Sequence, residues 1–148
     1  RQRQMCIRDR SSISYTGNNR THMIRIPDPG RFELRLMDGS ANPYLLQASV
    51  LAAGLYGLKN KVDPGKPLDC NMYEDHHKYP NLPKLPDELA QSLNLLKNNK
   101  DMNDAFGKDV IESYIKLRSS EMNEFKSKDS FDKTKDVTKW EKDNTLDC

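Results

Sequence analysis

Several features that would place the chain in a familiar class are scarce in its sequence. Only 3 of its 148 residues are cysteine, and Cys6, Cys70 and Cys148 lie far apart with no Cys-x-x-Cys pair. That spacing indicates neither a disulfide framework nor a zinc site, and we expect ordinary reduced thiols. Apolar residues make up 35% of the chain, below the usual share, so the sequence predicts a small core.

Charge of one sign and long hydrophobic runs are also lacking. A total of 24 Lys and Arg residues against 22 Asp and Glu leaves a net charge of +2, which does not by itself mark a polyanion binder. The sequence has no window of 18 consecutive apolar residues and opens with no signal-peptide pattern. We therefore expect no membrane segment and no secretion, and a cytoplasmic location follows by default.

The first residues show no pattern that continues into the rest of the chain. Residues 1–10 read RQRQMCIRDR, without periodicity or a helix cap, and resemble translated sequencing-adapter sequence. We interpret residues 1–11 as an artefact and exclude them from fold reasoning. The chain also lacks an initial methionine, and we expect residues 12–148 to be the C-terminal piece of a longer protein.

Alternation of apolar and polar residues predicts a β-hairpin early in the chain. Residues 21–26 and residues 31–37 both alternate, as strands with one covered face do. Between them, Pro29-Gly30 suits a type II turn, because proline presets φ and glycine tolerates a positive φ.

Helices are predicted after this hairpin. Asn42 as N-cap and Pro43 in the first turn open a run from residue 44 to 58 that is apolar all round, which is typical of a buried helix. Leucines at helical spacing predict another helix over residues 86–99, and a further apolar stripe predicts one over residues 107–125. The expected fold is therefore α+β: an antiparallel hairpin packed on a buried apolar helix, followed by two or three further helices.

The second predicted strand carries a carboxylate between two guanidiniums. Arg31, Glu33 and Arg35 share the face opposite the core side, and Arg20 and Arg25 lie nearby in sequence. Guanidinium forks suit phosphate and carboxylate groups, and a glutamate among them can hold a divalent cation on phosphate oxygens. The residues permit a phosphoryl-transfer site. Two alternatives stay open here: an exposed strand with weak ion pairs, and a small phosphate- or nucleic-acid-binding module.

The place of Arg25 in this group depends on the hairpin register. If residues 26–30 form the loop, Arg25 lies opposite Arg31 and shares a face with Glu33 and Arg35. A four-residue loop would turn Arg25 to the other face, because side-chain direction has a period of two. We predict the shared face, since a buried arginine without an anion is costly.

Five short motifs stand in register in the first half of the chain. Residues 19–59 contain NRT, MIRIP, RFELR, ANPYL and AAGL in that order. This series resembles the C-terminal part of the glutamine synthetase catalytic domain, in which NRS/T, RIP, R.E.R and ANPYL follow one another at similar spacing. The resemblance covers essentially everything after Ser14, so we expect residues 12–148 to form the C-terminal portion of that domain.

The resemblance implies a role for each charged residue of this region. Arg20 matches the catalytic arginine that stabilises the transferred phosphoryl group. Arg25 and Arg31 match arginines that, with Arg20, contact the phosphates of ATP. Glu33 matches a ligand of Mg²⁺ or Mn²⁺, and Arg35 matches the arginine that grips the glutamate carboxylate. The implied reaction converts glutamate, ammonia and ATP to glutamine, ADP and phosphate through γ-glutamyl phosphate.

The resemblance also bears on the amine and on the assembly. RFELRLMDGSANPYL and the ending TLDC are similar to a branch that includes γ-glutamylmethylamide synthetases, which use methylamine, so ammonia and methylamine both stay open. The family implies a homo-oligomer of stacked rings, with no nucleic acid or membrane as partner. Because the other catalytic and metal-binding residues should lie upstream, this fragment alone is expected to be inactive. In the family the active site lies between subunits, one of which contributes its N-terminal domain, so without that domain the fragment is expected to expose apolar surface of the helix over residues 44–58 and of the hairpin.

Three further features have a functional and a structural interpretation. His76 and His77 beside Asp75 could ligate a metal, although a structural loop is the commoner outcome for such neighbours. Tyr73 occupies the position of a tyrosine that some bacterial glutamine synthetases adenylylate, and a packed loop tyrosine is the alternative. Trp140, the single tryptophan, is expected to anchor the C-terminal tail.

Overall fold

The computed structural model describes residues 12–37, 39, 41–128 and 138–145. The interpretation of residues 1–11 and the thiols of Cys6 and Cys148 lie outside the described residues. The described residues form two compact units: residues up to 37 together with 64–87 make the first, and residues 39–63 together with those from 88 onward make the second. With a three-stranded sheet and six α-helices among the described residues, the chain is an α+β protein, as the sequence predicts.

The first unit contains the sheet, in the order β1-β2-β3. Strand β1 (Tyr15–Thr16) runs parallel to β2 (Ile24–Asp28), which pairs antiparallel with β3 (Arg31–Leu34). The predicted hairpin is confirmed, although its second strand is shorter than residues 31–37. Strand β1 was not predicted, because two residues are too few to show an alternation.

The hairpin register differs from the predicted one. Asp28 pairs with Arg31, so the loop consists of Pro29 and Gly30 rather than residues 26–30. Gly30 has a φ of 78°, as the third position of a type II turn requires.

A β-bulge between Arg25 and Asp28 then sets the face on which Arg25 lies. Arg25 pairs with Glu33, not with Arg31 as predicted. Without the extra residue of the bulge, Arg25 would lie opposite Leu34 on the other face, because side-chain direction alternates. Pro27 lies within the bulge, where its missing N–H costs no ladder hydrogen bond. The predicted shared face is confirmed, although the predicted pairing is wrong.

Helices account for most of the remaining described structure. Residues 64–87 of the first unit carry α2 (Met72–Asp75) and a 3₁₀ turn (His76–Lys78). The helices of the second unit are α1 (Pro43–Lys59), α3 (Leu89–Asn98), α4 (Lys100–Phe106), α5 (Lys108–Lys128) and α6 (Lys139–Thr145). The predicted cap is confirmed, since the Oδ1 of Asn42 accepts from the N–H groups of Tyr44 and Leu45 at 3.0 and 3.1 Å. Helices α4 and α6 are too short to have been predicted from periodicity.

Several large apolar side chains of α1 are left exposed by the described residues. None of its residues is buried, and Tyr44, Leu51 and Leu58 are 82%, 66% and 78% exposed. The prediction of a buried helix is therefore wrong for the described residues, because they offer too little apolar surface to cover a helix that is apolar on all sides. The exposure agrees with the expectation that a fragment of the domain exposes apolar surface.

The buried apolar side chains are few in the part of the chain that the structure describes. They are Met72 in the first unit and Leu93 and Ile111 in the second. The ring of Trp140 meets that of Phe125 edge to face at 5.6 Å, which confirms that Trp140 ties α6 to α5. Across the described residues, no helix combines the length and the hydropathy needed to cross a bilayer.

Candidate functional site

Three arginines of the hairpin region converge on the carboxylate of Glu33. Arg25 Nη1 donates to Oε1 at 3.0 Å and to Oε2 at 2.8 Å, and Arg31 Nη2 donates to Oε1 at 2.9 Å. Arg35 Nη1 lies 3.6 Å from Oε2. The four charged residues that the sequence placed on one face are therefore in contact. Three positive charges and one negative charge leave this arginine cluster with a positive excess, which favours anions.

Exposure differs strongly among the members of the arginine cluster. The side chains of Arg25 and Arg35 are 14% and 24% exposed, that of Glu33 is 27% exposed, and that of Arg31 is 63% exposed. The hydrogen bond from Arg25 lowers the pKa of Glu33 below its ordinary value, although partial burial acts in the other direction. Glu33 therefore stays ionised at neutral pH and orders the guanidiniums around it.

Arg20 lies on the connection between β1 and β2, the Arg20 loop (residues 17–23). Its side chain is exposed and, with Arg25, lines an open cavity of about 670 Å³ whose other lining residues are 16–19, Thr21 and Asp69. Arg25 also joins this loop to the hairpin, because its Nε donates to Asn18 Oδ1 at 2.9 Å and its Nη2 contacts the same oxygen. Arg25 therefore belongs both to the cavity and to the arginine cluster.

Side-chain hydrogen bonds hold the Arg20 loop against residues 70–72. Asn19 Oδ1 accepts from the backbone N–H and the hydroxyl of Thr21, both at 2.9 Å, and Asn19 Nδ2 donates to the carbonyl of Cys70 at 2.9 Å. The hydroxyl oxygen of Thr21, a residue only 8% exposed, accepts from the N–H of Met72 at 3.1 Å. Sequence reasoning missed these roles, although the NRT motif contains both Asn19 and Thr21.

Glu33 suits a divalent cation as one ligand, but the described residues do not complete a metal site. Among them, no group of three or more His, Cys, Asp and Glu side chains is placed to hold a metal ion. Asp75, beside the two histidines, instead pairs with Lys78 at 2.6 Å, and this ion pair favours the structural interpretation of that loop. Tyr73 is 48% exposed, and its modification stays a prediction.

A family model described as "Glutamine synthetase, catalytic domain" matches residues 10–142 of the chain. The chain therefore belongs to the glutamine synthetase family, as its motifs indicate. It is 46% identical over 137 residues to the glutamine synthetase of Rhizobium meliloti (strain 1021), with 93% of this chain and 30% of that protein covered. It is 40% identical over 116 residues to the glutamate–methylamine ligase of Methyloversatilis universalis, with 76% of this chain and 26% of that protein covered.

Solved structures agree with this assignment at the level of the fold. A structure described as apo GmaS without ligand superimposes with a TM-score of 0.78 at 39% identity, covering 98% of this chain and 32% of that one. A GmaS/ADP complex gives a TM-score of 0.76 at 40% identity, covering 96% and 31%. The chain spans about a third of the length of the proteins it matches. Family membership favours the ligase hypothesis over a small nucleic-acid-binding module.

Proposed function

We propose that the chain supplies the phosphate- and glutamate-binding part of an ATP-dependent ligase that joins glutamate to a small amine. The observation that carries this proposal is the convergence of Arg25, Arg31 and Arg35 on Glu33, next to the cavity that Arg20 lines, in a member of the glutamine synthetase family. Since the chain spans about a third of its relatives, the complete active site needs residues from outside it. We expect the chain alone to be inactive.

Arg20, Arg25 and Arg31 are the residues that hold phosphate groups in this proposal. Their guanidinium forks are permanently charged and match phosphate oxygens in pairs. Arg31 is 63% exposed, so its ion pair with Glu33 is weak and its fork can turn to a phosphate at small cost. Arg25 is 14% exposed and hydrogen-bonded to both Glu33 and Asn18, so its guanidinium stays in place when phosphate binds.

Glu33 has a second role beside that of counter-ion. An ionised carboxylate offers hard oxygen ligands to Mg²⁺ or Mn²⁺, and the lowered pKa of Glu33 keeps it in that form. ATP carried by such a cation is the phosphoryl donor of the proposed reaction. Glu33 would hold one side of the cation, and the remaining ligands would come from outside the described residues.

Arg35 would hold the glutamate carboxylate that becomes activated. Its backbone N–H donates to the carbonyl of Met23 at 2.9 Å, which fixes it directly after β3. Phosphorylation turns the carboxylate into an electrophile with phosphate as leaving group, and an amine then attacks the carbonyl carbon and expels phosphate. Arg20 would stabilise the negative charge that develops on the transferred group.

The amine is ammonia in our primary proposal and methylamine in the alternative. The relative at 46% identity is a glutamine synthetase, which supports ammonia. The glutamate–methylamine ligase at 40% identity and the two GmaS structures support methylamine. For the full-length protein we propose a cytoplasmic homo-oligomer of stacked rings.

A chimera tests the proposal. Residues 12–148 replace the matching segment of the Rhizobium meliloti enzyme, and amide formation is measured with ATP and glutamate, with ammonia and methylamine supplied separately. We expect activity with one of them. Glu33→Gln should raise the KM for metal-bound ATP about tenfold or more, and Arg35→Ala should mainly raise the KM for glutamate, since each loses a charge-assisted contact.

Arg118→Ala is the matched control, because Arg118 is also ion-paired, with Glu121 on α5 at 2.6 Å, but has no part in the proposed site. A folded chimera that uses neither amine would contradict the proposal. Equal losses of stability in the Glu33 and Arg35 variants, with unchanged KM values, would instead favour a purely structural strand.

A further inference from the structure

His22 is fully buried, with 0% of its surface exposed, and both of its ring nitrogens have partners. Nε2 lies 2.9 Å from the carbonyl oxygen of Cys70, and Nδ1 lies 3.0 Å from Oγ of Ser14. A carbonyl oxygen can only accept, so Nε2 carries a proton and donates to Cys70. Burying an imidazole costs free energy, and hydrogen bonding of its ring nitrogens offsets that cost.

These contacts tie together three segments that are separate in sequence. Ser14 directly precedes β1, His22 lies just before β2, and Cys70 lies just before α2. The carbonyl of Cys70 also accepts from Asn19 Nδ2 at 2.9 Å. Asn19 and His22 flank Arg20, so both sides of the Arg20 loop are fixed to the same backbone oxygen.

We propose that His22 is a positioning residue for Arg20. By bridging Ser14 and Cys70 it fixes one side of the Arg20 loop, as Asn19 fixes the other, and the exposed guanidinium of Arg20 is thereby held at the cavity. The inference rests on the proposed function, because this placement matters for the reaction only if a phosphoryl group is transferred beside Arg20.

The sheet alone does not fix the loop in this way. Strands β1 and β2 pair through only two residue pairs, Tyr15 with Ile24 and Thr16 with Arg25. Backbone hydrogen bonds hold the two ends of the loop, from the N–H of Ile26 to the carbonyl of Gly17 at 3.2 Å and from the N–H of Arg35 to the carbonyl of Met23 at 2.9 Å. Between these ends, the hydrogen bonds that join the loop to residues 70–72 involve the side chains of Asn19, Thr21 and His22. An apolar residue at position 22 could fill the same volume but could not hold the carbonyl of Cys70 or the hydroxyl of Ser14.

The effect of losing His22 should therefore be specific to turnover. Arg20 is one of the three arginines that hold phosphate in the proposed function. The other two, Arg25 and Arg31, belong to the hairpin and keep their contacts to Glu33, so nucleotide binding should weaken less than the rate falls. A displaced Arg20 would no longer meet the charge that develops on the phosphoryl group. Misplacement of such a group by about 1 Å can lower a rate by about 100-fold.

The experiment uses the active chimera with His22→Leu, His22→Gln and Ser14→Ala, each with and without Arg20→Ala. We expect His22→Leu to lower kcat about 10- to 100-fold, with a clearly smaller rise in the KM for ATP. Glutamine keeps an N–H donor at the end of its side chain, so His22→Gln should restore part of the loss. In the Arg20→Ala background, His22→Leu should cost no further kcat.

Met72→Ala is the control for a general loss of stability. Met72 is 4% exposed and lies in the same unit, and the hydrogen bond that it donates to the Arg20 loop comes from its backbone N–H, which the substitution keeps. This variant should unfold more easily but keep the kcat of the folded enzyme. If His22→Leu does not fold, His22→Gln and Ser14→Ala carry the same comparison.

Hydrogen exchange over residues 17–23 separates the two proposals. We expect faster exchange there in His22→Leu than in Met72→Ala, whether or not the chimera is active. An active chimera in which His22→Leu keeps its kcat, or in which the losses from His22→Leu and Arg20→Ala are additive, overturns the positioning role and leaves the function standing. An inactive chimera overturns the proposed function. If His22→Leu also leaves hydrogen exchange in that chimera unchanged, the role of His22 in anchoring the Arg20 loop is overturned as well.

Discussion

The two units of the chain bury different kinds of side chain. Among the described residues of the first unit, the buried ones are Thr16, Thr21, His22 and a single apolar residue, Met72. In the second unit the buried residues among those described are leucine and isoleucine, and several large apolar side chains of α1 stay exposed. Buried polar groups are stable only when they have hydrogen-bond partners. In the first unit, Thr21 and His22 have such partners, and their hydrogen bonds fix the backbone of the Arg20 loop.

The site in the first unit is ordered by contacts within that unit, whereas α1 in the second unit depends on other residues to cover its apolar side chains. The Arg20 loop and the arginine cluster are held by hydrogen bonds and ion pairs within the first unit. Helix α1 has the sequence of a helix covered on most sides, yet the described residues cover it only in part. The first unit should therefore keep its site when its surroundings change, while the second unit should respond to what covers α1.

The largest expected effect concerns the exposed leucines of α1. Leu51, Leu55 and Leu58 are 66%, 65% and 78% exposed and follow one another at helical spacing. The chain expressed alone should self-associate through this face, because contiguous exposed apolar surface promotes association. Replacing all three residues with glutamine should shift the chain from oligomers to mostly monomer in sedimentation velocity.

A matched control replaces three exposed leucines of other helices with glutamine. Leu89 and Leu95 on α3 and Leu117 on α5 are 44%, 61% and 54% exposed. Because they do not form one stripe, their replacement should leave the self-association largely unchanged. A wild-type chain that is monodisperse and unfolds cooperatively would show that the exposed face of α1 has no such consequence.

Acidification probes the polar unit instead, and its effect should be smaller. Hydrogen bonding to Arg25 lowers the pKa of Glu33 from its ordinary value of 4.5, so the ionised form is favoured in the folded state. Its contribution to stability is complete above pH 4.5 and is lost as the pH falls through the lowered pKa. Wild type should therefore unfold at a higher denaturant concentration than Glu33→Gln at pH 7, and this gap should close on acidification below pH 4.5.

The same comparison supplies its own control, because only the difference between wild type and Glu33→Gln is used at each pH. A gap that stays constant over the whole acid range, down to the pH at which the chain unfolds, would mean that the carboxylate of Glu33 contributes through its shape rather than its charge. A gap that widens on acidification would contradict the sign of the linkage.

Local signals explain how much of the fold could be predicted. The N-terminus of α1 follows from Asn42 and Pro43, which act within one turn, and the hairpin follows from alternation and from Pro29-Gly30. The register does not follow, because the bulge at Pro27 depends on pairing across strands. The face of Arg25 was still predicted correctly, since the cost of an unpaired buried arginine holds for any register.

The candidate site divides in the same way. The hairpin cluster was predictable because its members lie within eight residues of Glu33. The contacts that hold the Arg20 loop were not, because Asn19 and His22 meet Cys70 across 51 and 48 positions of sequence. The local sequence does not show whether a polar residue next to a motif, such as His22, will be buried.

Two glycines provide the smallest and sharpest comparison. Gly30 has a φ of 78° in the hairpin turn, so Gly30→Ala should cost about 1–2 kcal/mol through left-handed backbone strain. Gly54 lies in α1, and a Cβ added there meets no heavy atom within 4 Å, so Gly54→Ala should stabilise the helix by about 0.5–1 kcal/mol. Both changes in stability are measured by chemical denaturation of the chain in which Leu51, Leu55 and Leu58 are replaced with glutamine.

The sign of Gly54→Ala in a larger protein then reports on what covers α1. Within the chimera, the same substitution should lose its benefit if the remaining part of the protein packs closely on this face of the helix, because the added methyl group would then be overpacked. Gly30→Ala should cost the same in both settings, since its penalty arises in the backbone of the turn. Equal stabilisation by Gly54→Ala in the chain and in the chimera would show that this side of α1 stays exposed in both. The difference between the first unit, which is held by its own contacts, and the second, which depends on what covers α1, would then need another cause.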